Sequence, residues 1–503
     1  MAIGRSADDL KNMDQLPAKS DVREFRAYLD ANEYTEQALK ARIGTALPPR
    51  ADNDQRLAYV SREATPQNAL VRLFLLGASL DQSTASEVLS ASFIELCMGM
   101  GLVDASQGRL HANVVIVGIE DLLFVSDAFR MLGGDQATDF VLPASTHSAN
   151  YLRRLTMRPE LGSMLDLGCG CGIHALFAAR HSGKVIATDI SPAATRYTTF
   201  NAWLNDIDNV ECIVGDMFEP VAGQTFDLIV TNPPFVLGPD NSFVYRDSQL
   251  ELDELCRQLV SNAPDFLNIN GHLQMLCETV EFEGDSWHER MNSWFAGTQC
   301  DAWILHSPPL HPLHYVSQRA ADLSGGDLQE VTRFDHWVDY FETRNIIAIH
   351  PVMVAMRRRD GNNWLHVHDM SGDVDKEAGE AVSKSIAACD LLERCSDDDV
   401  LLGTTFAISS DIALEQKFLR QDGLWQPQSS VISMMSGLPM DAEVDMPILA
   451  FLNQIDGKKS LRMALQAFSA AVGADISKLT ADLLPIVRLF IGRGFLESAE
   501  RPE

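Results

Sequence analysis

Positive charge is what this 503-residue sequence most lacks: 40 Lys and Arg stand against 70 Asp and Glu, a formal net charge of −30. A protein that holds a long nucleic acid by its phosphates needs a basic surface, so the composition speaks against that class. Long apolar runs are missing as well. None reaches the ~18 residues of a membrane-spanning helix, and Met1 to Ser20 carry no apolar stretch of the secretory kind, so a cytoplasmic protein is expected. Paired cysteines are a third absence: the nine present are scattered through apolar segments, which suits reduced core thiols and not a disulfide framework. His306, His311 and His314 lie close in sequence, but the prolines between them break any helix or strand that could converge them, and no metal is expected.

What is present points to several domains, since an ordinary core holds ~100 to 200 residues. Residues 1–20 read as a flexible tail and 21–140 as a helical domain. In the latter, 22–29 and 35–40 carry helical patterns with Ser20 and Thr35 as N-caps, and further helices are expected over 70–76 and 85–100. The last breaks at Gly99 and Gly101 into strands over 102–104 and 109–117, an arrangement like a winged helix. Residues 371–503 use the same device: helices over 448–452, 461–471 and 483–491, the last closing on Gly492 and Gly494 before an apolar strand. The acidic balance assigns both modules to protein contact or scaffolding, and neither is expected to be needed for the central site. Between them, over 141–370, short Val/Ile/Leu-rich runs alternate with helical stretches, the pattern of an α/β fold whose mainly parallel sheet is covered on both faces. Seven strands are expected, over 163–167, 184–188, 210–214, 226–231, 272–279, 301–306 and 346–356, with an inserted lid at about 307–345. The densest basic cluster, Arg357-Arg358-Arg359, reads as a solvated strand edge.

The first of these strands runs through Asp166 into Gly168-Cys169-Gly170-Cys171-Gly172 and then a helix. Glycines at this place allow a tight turn and a close approach of backbone to a ligand. The third glycine comes one position early for a pyrophosphate fingerprint, and an acid precedes the first, which suits a ligand with an amino group and no pyrophosphate. The second strand ends at Asp189, about the ~20 residues beyond the glycines at which an acid meets ribose hydroxyls. After the third come Gly215-Asp216-Met217, where an acid can accept from an adenine amino group. The fourth delivers Asn232-Pro233-Pro234-Phe235 at its carboxyl end, the edge where open parallel sheets bind ligands. The prolines stiffen the loop. The Asn232 side-chain carbonyl and the Pro233 carbonyl can then face one planar NH2 group while Phe235 stacks on it. Cys169 and Cys171 fill small-residue positions in the glycine loop.

These motifs, over about Leu142 to Met356, resemble the class I methyltransferases of the HemK/PrmC and RsmC/RlmG type, in which Asn-Pro-Pro-Phe or Asn-Pro-Pro-Tyr serves methylation of a glutamine amide or a guanine amino group. The resemblance implies a Rossmann-like domain that binds S-adenosylmethionine and releases S-adenosylhomocysteine. It places Asp166, Gly168, Gly170 and Gly172 around the methionine part, Asp189 at the ribose, and Asp216 with Met217 at the adenine, with Ile190 also touching the cofactor. Asn232, Pro233, Pro234 and Phe235 would hold the acceptor, Asn232 also touching the cofactor. The whole chain is similar to a group of bacterial HemK-related methyltransferases through 71–77, Val125-Ser126-Asp127 and Tyr245-Arg246-Asp247, which makes Tyr245 and Arg246 candidates for acceptor binding. Both ends depart from the release-factor enzymes. The expected activity is N-methylation of a planar amide or amino nitrogen, with a protein or peptide acceptor of glutamine type. A small metabolite is the alternative, RNA guanine is disfavoured by charge, and the non-enzymatic rival is a binding protein that only senses the cofactor.

Overall fold

A computed structural model describes residues 15–47, 55–128, 139–239, 250–321, 329–370, 372, 374–376 and 378–499. Two compact units divide the chain: 1–153, 159–302 and 309–363 form the first, and 154–158, 303–308 and 364–503 the second.

The first unit opens with α1 (Lys19–Ala31), which buries Val22, Phe25 and Leu29 along one stripe. Ser20 is not its cap. Ala18 holds that position, and Ser20 lies inside the first turn with its hydroxyl on Asp21. Thr35 does cap the next helix, Glu36–Ile43, by accepting from Ala38 N at 3.3 Å. The single helix expected over 85–100 is two, Gln82–Val88 and Ala91–Gly99, because Ser90 starts the second by accepting from Phe93 N. The helix expected over 70–76 is Pro66–Leu70 running into a π turn, Val71–Leu75. Leu80–Asp81, Val103–Ser106 and Arg109–Ala112 form a small sheet with the last strand in the middle. The strand expected over 109–117 breaks at Asn113, whose side-chain amide donates to Gly101 O and to Asp104. Beyond it the chain enters a separate hairpin, β1 (Val114–Ile119) with β2 (Leu122–Asp127), every residue of which is buried.

Then come the strands of the central sheet: β3 (Leu161–Leu167), β4 (Ser182–Asp189), β5 (Val210–Val214), β6 (Phe226–Thr231), β7 (Leu267–Phe282), β8 (Cys300–His306), β9 (Ile346–Arg358) and β10 (Leu365–Asp369). Within the first unit the order is β9-β7-β6-β3-β4-β5, and in the second β10 lies beside β8. The β3–β4, β3–β6, β4–β5 and β6–β7 pairs are parallel, and β7–β9 is antiparallel. This is an α/β sheet. The strand β10 was not expected: it reads Leu-His-Val-His-Asp and lacks the continuous apolar run that marks a doubly covered strand. Helix α2 (Ile173–Ala178) follows β3, and α3 (Pro192–Leu204), capped by Ser191 with Pro192 at its first position, follows β4. The arginine cluster is not a solvated edge. Arg357 and Arg359 both pair with Asp301, fully buried in β8, and Arg358 donates to Leu267 O at 2.7 Å.

In the second unit the helices Met446–Leu452, Leu461–Val472 and Ile476–Gly492 cover the three expected stretches. Gly494 at φ +76 ends the last one and Phe495 N reaches back to Phe490 O. Gly101 at φ +75 does the same after Ala91–Gly99, with Leu102 N on Cys97 O. Here Leu496–Ser498 pairs with Phe406–Ile408. Sequence reading missed a three-stranded sheet in this unit, built from β11 (Ile412–Gln421), β12 (Leu424–Met434) and Asp441–Val444.

Candidate active site

The carboxyl ends of β3, β4 and β6 open into a cavity of about 500 Å³ in the first unit. Its wall includes Gly168, Gly170, Asp189, Ile190, Asp216, Met217, Asn232, Pro233 and Pro234. Asp166, Gly172 and Phe235, expected alongside them, are not on that wall. Tyr245 and Arg246 lie outside the described residues.

The glycines divide the work. Gly168 and Gly170 hold φ of +78° and +53°, and a Cβ on either would meet nothing within 4 Å, so their bare backbone leaves room on the cavity side. Gly172, at φ +83°, is shaped by packing: a Cβ there would sit 2.8 Å from Thr198 Cγ2 on α3 and 3.0 Å from Leu176 Cδ1. Asp166 stands behind the loop. Its Oδ2 accepts from Ala175 N at 2.9 Å, and its Oδ1 is buried with no partner. Burial pushes its carboxyl up to about 7 against the pull of the Ala175 N–H, with the Asp189 charge adding to the rise.

Asp189 faces the cavity while locked to its surroundings. Oδ2 accepts from Gly170 N at 3.0 Å and Oδ1 from Ser191 N at 2.9 Å, which leaves each oxygen a further lone pair. Burial raises its pKa against those two bonds. Ile190, 55% exposed, offers an apolar surface beside it. Met217 holds φ +44°, a left-handed conformation uncommon outside glycine, between exposed Asp216 and the buried Phe218. Backbone strain of this kind recurs at ligand sites.

Asn232, directly after β6, donates from Nδ2 to Ser148 Oγ at 3.3 Å, and its Oδ1 is buried without a partner. A buried acceptor in that state costs about 1–3 kcal/mol. The loop beyond it is pinned from the inserted helices α4 (Pro312–Ala321) and α5 (Gln329–Glu342). Leu237 N donates to Tyr315 Oη at 2.9 Å, and that hydroxyl donates to Glu278 at 2.5 Å, which also pairs with Arg319. The Trp337 ring lies where a Cβ on Gly238 would be, at 2.6 Å.

Three features escaped the sequence. His174 lines the cavity, buried, with neither ring nitrogen partnered, and burial then Arg153 push its pKa down to about 3, so it is neutral. Phe140, Val141, Leu142, Pro143 and Thr146 form a further wall. Asn201, fully buried on α3, donates to both Val125 O in β2 and Cys171 O in the glycine loop, and accepts from Val125 N. A polar residue on a helix face gives no such signal in sequence. Among the described residues no group of three or more His, Cys, Asp or Glu is placed to hold a metal, and no helix is long and apolar enough to cross a membrane.

Residues 146–300 match the family described as Methyltransferase small domain. Residues 386–498 match a second family, described as Domain of unknown function (DUF7782). Among curated relatives, the ribosomal RNA small subunit methyltransferase C of Alcanivorax borkumensis is 30% identical over 115 residues, 23% of this chain and 32% of that protein. The release factor glutamine methyltransferase of Xylella fastidiosa is 37% identical over 123 residues, 22% of this chain and 44% of that protein. The chain thus spans less than half the length of these relatives. The Trm5b structure from Pyrococcus abyssi shares 16% identity at a TM-score of 0.31, covering 50% of this chain and 61% of that one. The stretch matched by that first family holds most of the cavity wall, from Thr146 to Leu259.

Proposed function

We propose that the chain is an S-adenosylmethionine-dependent N-methyltransferase acting on a planar amide or amino nitrogen. The buried, unpartnered Oδ1 of Asn232 on the cavity wall carries this reading, because such an acceptor calls for a donor that the folded chain does not supply. An acceptor NH2 between that oxygen and the Pro233 carbonyl satisfies it.

The remaining wall fits the cofactor. Asp189 keeps lone pairs for a diol, Ile190 supplies an apolar platform for a purine, and open space at Gly168 and Gly170 admits an aminoacyl tail. Bound there, the cofactor supplies a methyl group on a sulfonium whose departure leaves a neutral thioether. Asn232 and Pro233 orient the acceptor nitrogen, and this alignment provides most of the rate. No side chain of the wall is called on as a strong base, since the nitrogen can lose its proton after attack.

A protein or peptide acceptor suits the net charge of −30. The curated relatives divide between a ribosomal RNA name and a release-factor glutamine name, so an RNA amino group is the second reading. Incubation with tritiated methyl donor and cell extract split into protein, RNA and small-molecule fractions separates them. Label confined to protein supports the first form, and label confined to RNA replaces it. Calorimetry with S-adenosylhomocysteine checks the cofactor: no binding by the wild type, or unchanged binding in Asp189→Ala, would sink the reading.

A further inference from the structure

The second unit ends its ribbon in open solvent. Every residue from 414 to 428 is exposed, covering most of β11 and half of β12, and among them Leu414, Phe418, Leu419, Leu424 and Trp425 are large and apolar. Trp425 is 69% exposed. Apolar side chains gathered on an exposed ribbon mark an interaction surface.

β11 is also an edge strand. The sheet order places β12 on one side of it, and among the described residues no strand pairs with the other. The ribbon's bulge falls on β12, where Gln428 is the extra residue between the Lys417–Ser429 and Phe418–Pro427 pairs, so the free edge of β11 stays regular. A regular ten-residue edge is a template for another strand.

A lysine in the middle of an edge ordinarily keeps a second strand away. Here the sequence supplies the answer to its own lysine. Laid antiparallel on a second copy about Gln416, β11 sets Glu415 opposite Lys417 and Leu414 opposite Phe418, and symmetry repeats each pair. Opposite charges then meet on one face and apolar side chains on the other, the cross-strand pairs that stabilise sheets. Sliding the register by one residue towards the C-terminus on each copy sets Lys417 against Lys417. Register is therefore specified by the pattern.

We infer that this edge is an isologous interface, in which β11 of two copies of the chain join their ribbons into one continuous sheet. The occupant is a second copy because the charges and apolar positions of β11 complement themselves.

Sedimentation equilibrium on the full chain tests it. Wild type is expected to show a concentration-dependent dimer that weakens with added salt, since the paired charges are solvent-exposed. Lys417→Glu puts like charges opposite each other, as does Glu415→Lys, and each variant alone should be monomeric. Mixed together they should associate, because every Glu then faces a Lys across the symmetry axis. These positions are exposed, and circular dichroism confirms that each variant is folded. A wild type that stays monomeric up to roughly 100 µM, well above the dissociation constants of specific complexes, overturns the inference. So does a dimer indifferent to either reversal, or a mixture of the two variants that stays monomeric.

Discussion

Tyr197 donates its phenol to Asp127 Oδ1 at 2.6 Å, and Asp127 Oδ2 accepts from Val141 N at 2.8 Å. One buried carboxylate, at the end of β2, therefore ties α3 to a segment of the cavity wall. Burial pushes it up to about 6, against both bonds. With Asn201 bridging Val125 and Cys171, the β1–β2 hairpin supports two sides of the proposed cofactor site.

Removing that phenol is expected to act on binding as well as stability. Tyr197→Phe leaves the carboxylate short of a donor, at a cost of about 1–3 kcal/mol in denaturant unfolding. S-adenosylhomocysteine affinity should fall several-fold in the same folded sample, measured by calorimetry. Unchanged affinity would confine the phenol to a structural part. A chain starting after residue 128 should lose cofactor binding altogether.

The glycine loop offers a contrast between neighbours. Gly172→Ala forces a Cβ against Thr198 and strains a left-handed residue, so it should cost roughly 1–3 kcal/mol of stability. The folded fraction should bind cofactor normally. Gly170→Ala meets no protein atom and loses far less on packing, but its methyl enters the cavity side, and affinity should drop instead. Melting curves and calorimetry on both variants check the division.

Asn232→Ala should leave S-adenosylhomocysteine affinity nearly intact while lowering turnover by about 100-fold or more, the loss of an aligning contact felt in the transition state. Phe235→Ala is expected to raise the acceptor KM by the equivalent of ~1 kcal/mol of stacking. Full activity in a folded, cofactor-binding Asn232→Ala protein would show that the motif does not align the acceptor.

Asp166 gives a pH signature. Its folded pKa, about 7, lies above the ordinary carboxylate value. The folded chain then binds more protons than the unfolded one in between, so this group's contribution is full below ~4 and is lost as pH rises through ~7. Asp166→Asn removes that loss. Its stability relative to wild type should climb between those limits by a few kcal/mol, on the order of the shift times 1.36. Urea titrations across the range that show a flat difference would falsify the buried-acid account.

Four strands of the central sheet, β3 to β6, were legible together with the loops at their ends, because short apolar runs led into Asp166 and the glycines, Asp189, Asp216 and Asn232-Pro233. Tight turns hid elsewhere. Ser90 split one helix and Asn113 one strand by side-chain hydrogen bonds that periodicity does not register. The arginines of β9 looked solvent-facing because their counterion, Asp301, lies on another strand 56 residues earlier than Arg357. β11 and β12 lacked an alternating pattern because both faces of the ribbon are exposed, so no buried face imposes one.

The Asn-Pro-Pro-Phe loop has two landlords. Its first residue is delivered by β6, and five residues later Leu237 N answers to Tyr315 on an inserted helix, with Gly238 pressed against Trp337 from the other. The insertion can therefore re-aim the acceptor side of the loop without disturbing the strand that sets the cofactor side. Changes in acceptor preference then have a route through Pro312–Ala321 and Gln329–Glu342 that leaves the glycine loop and Asp189 as they are.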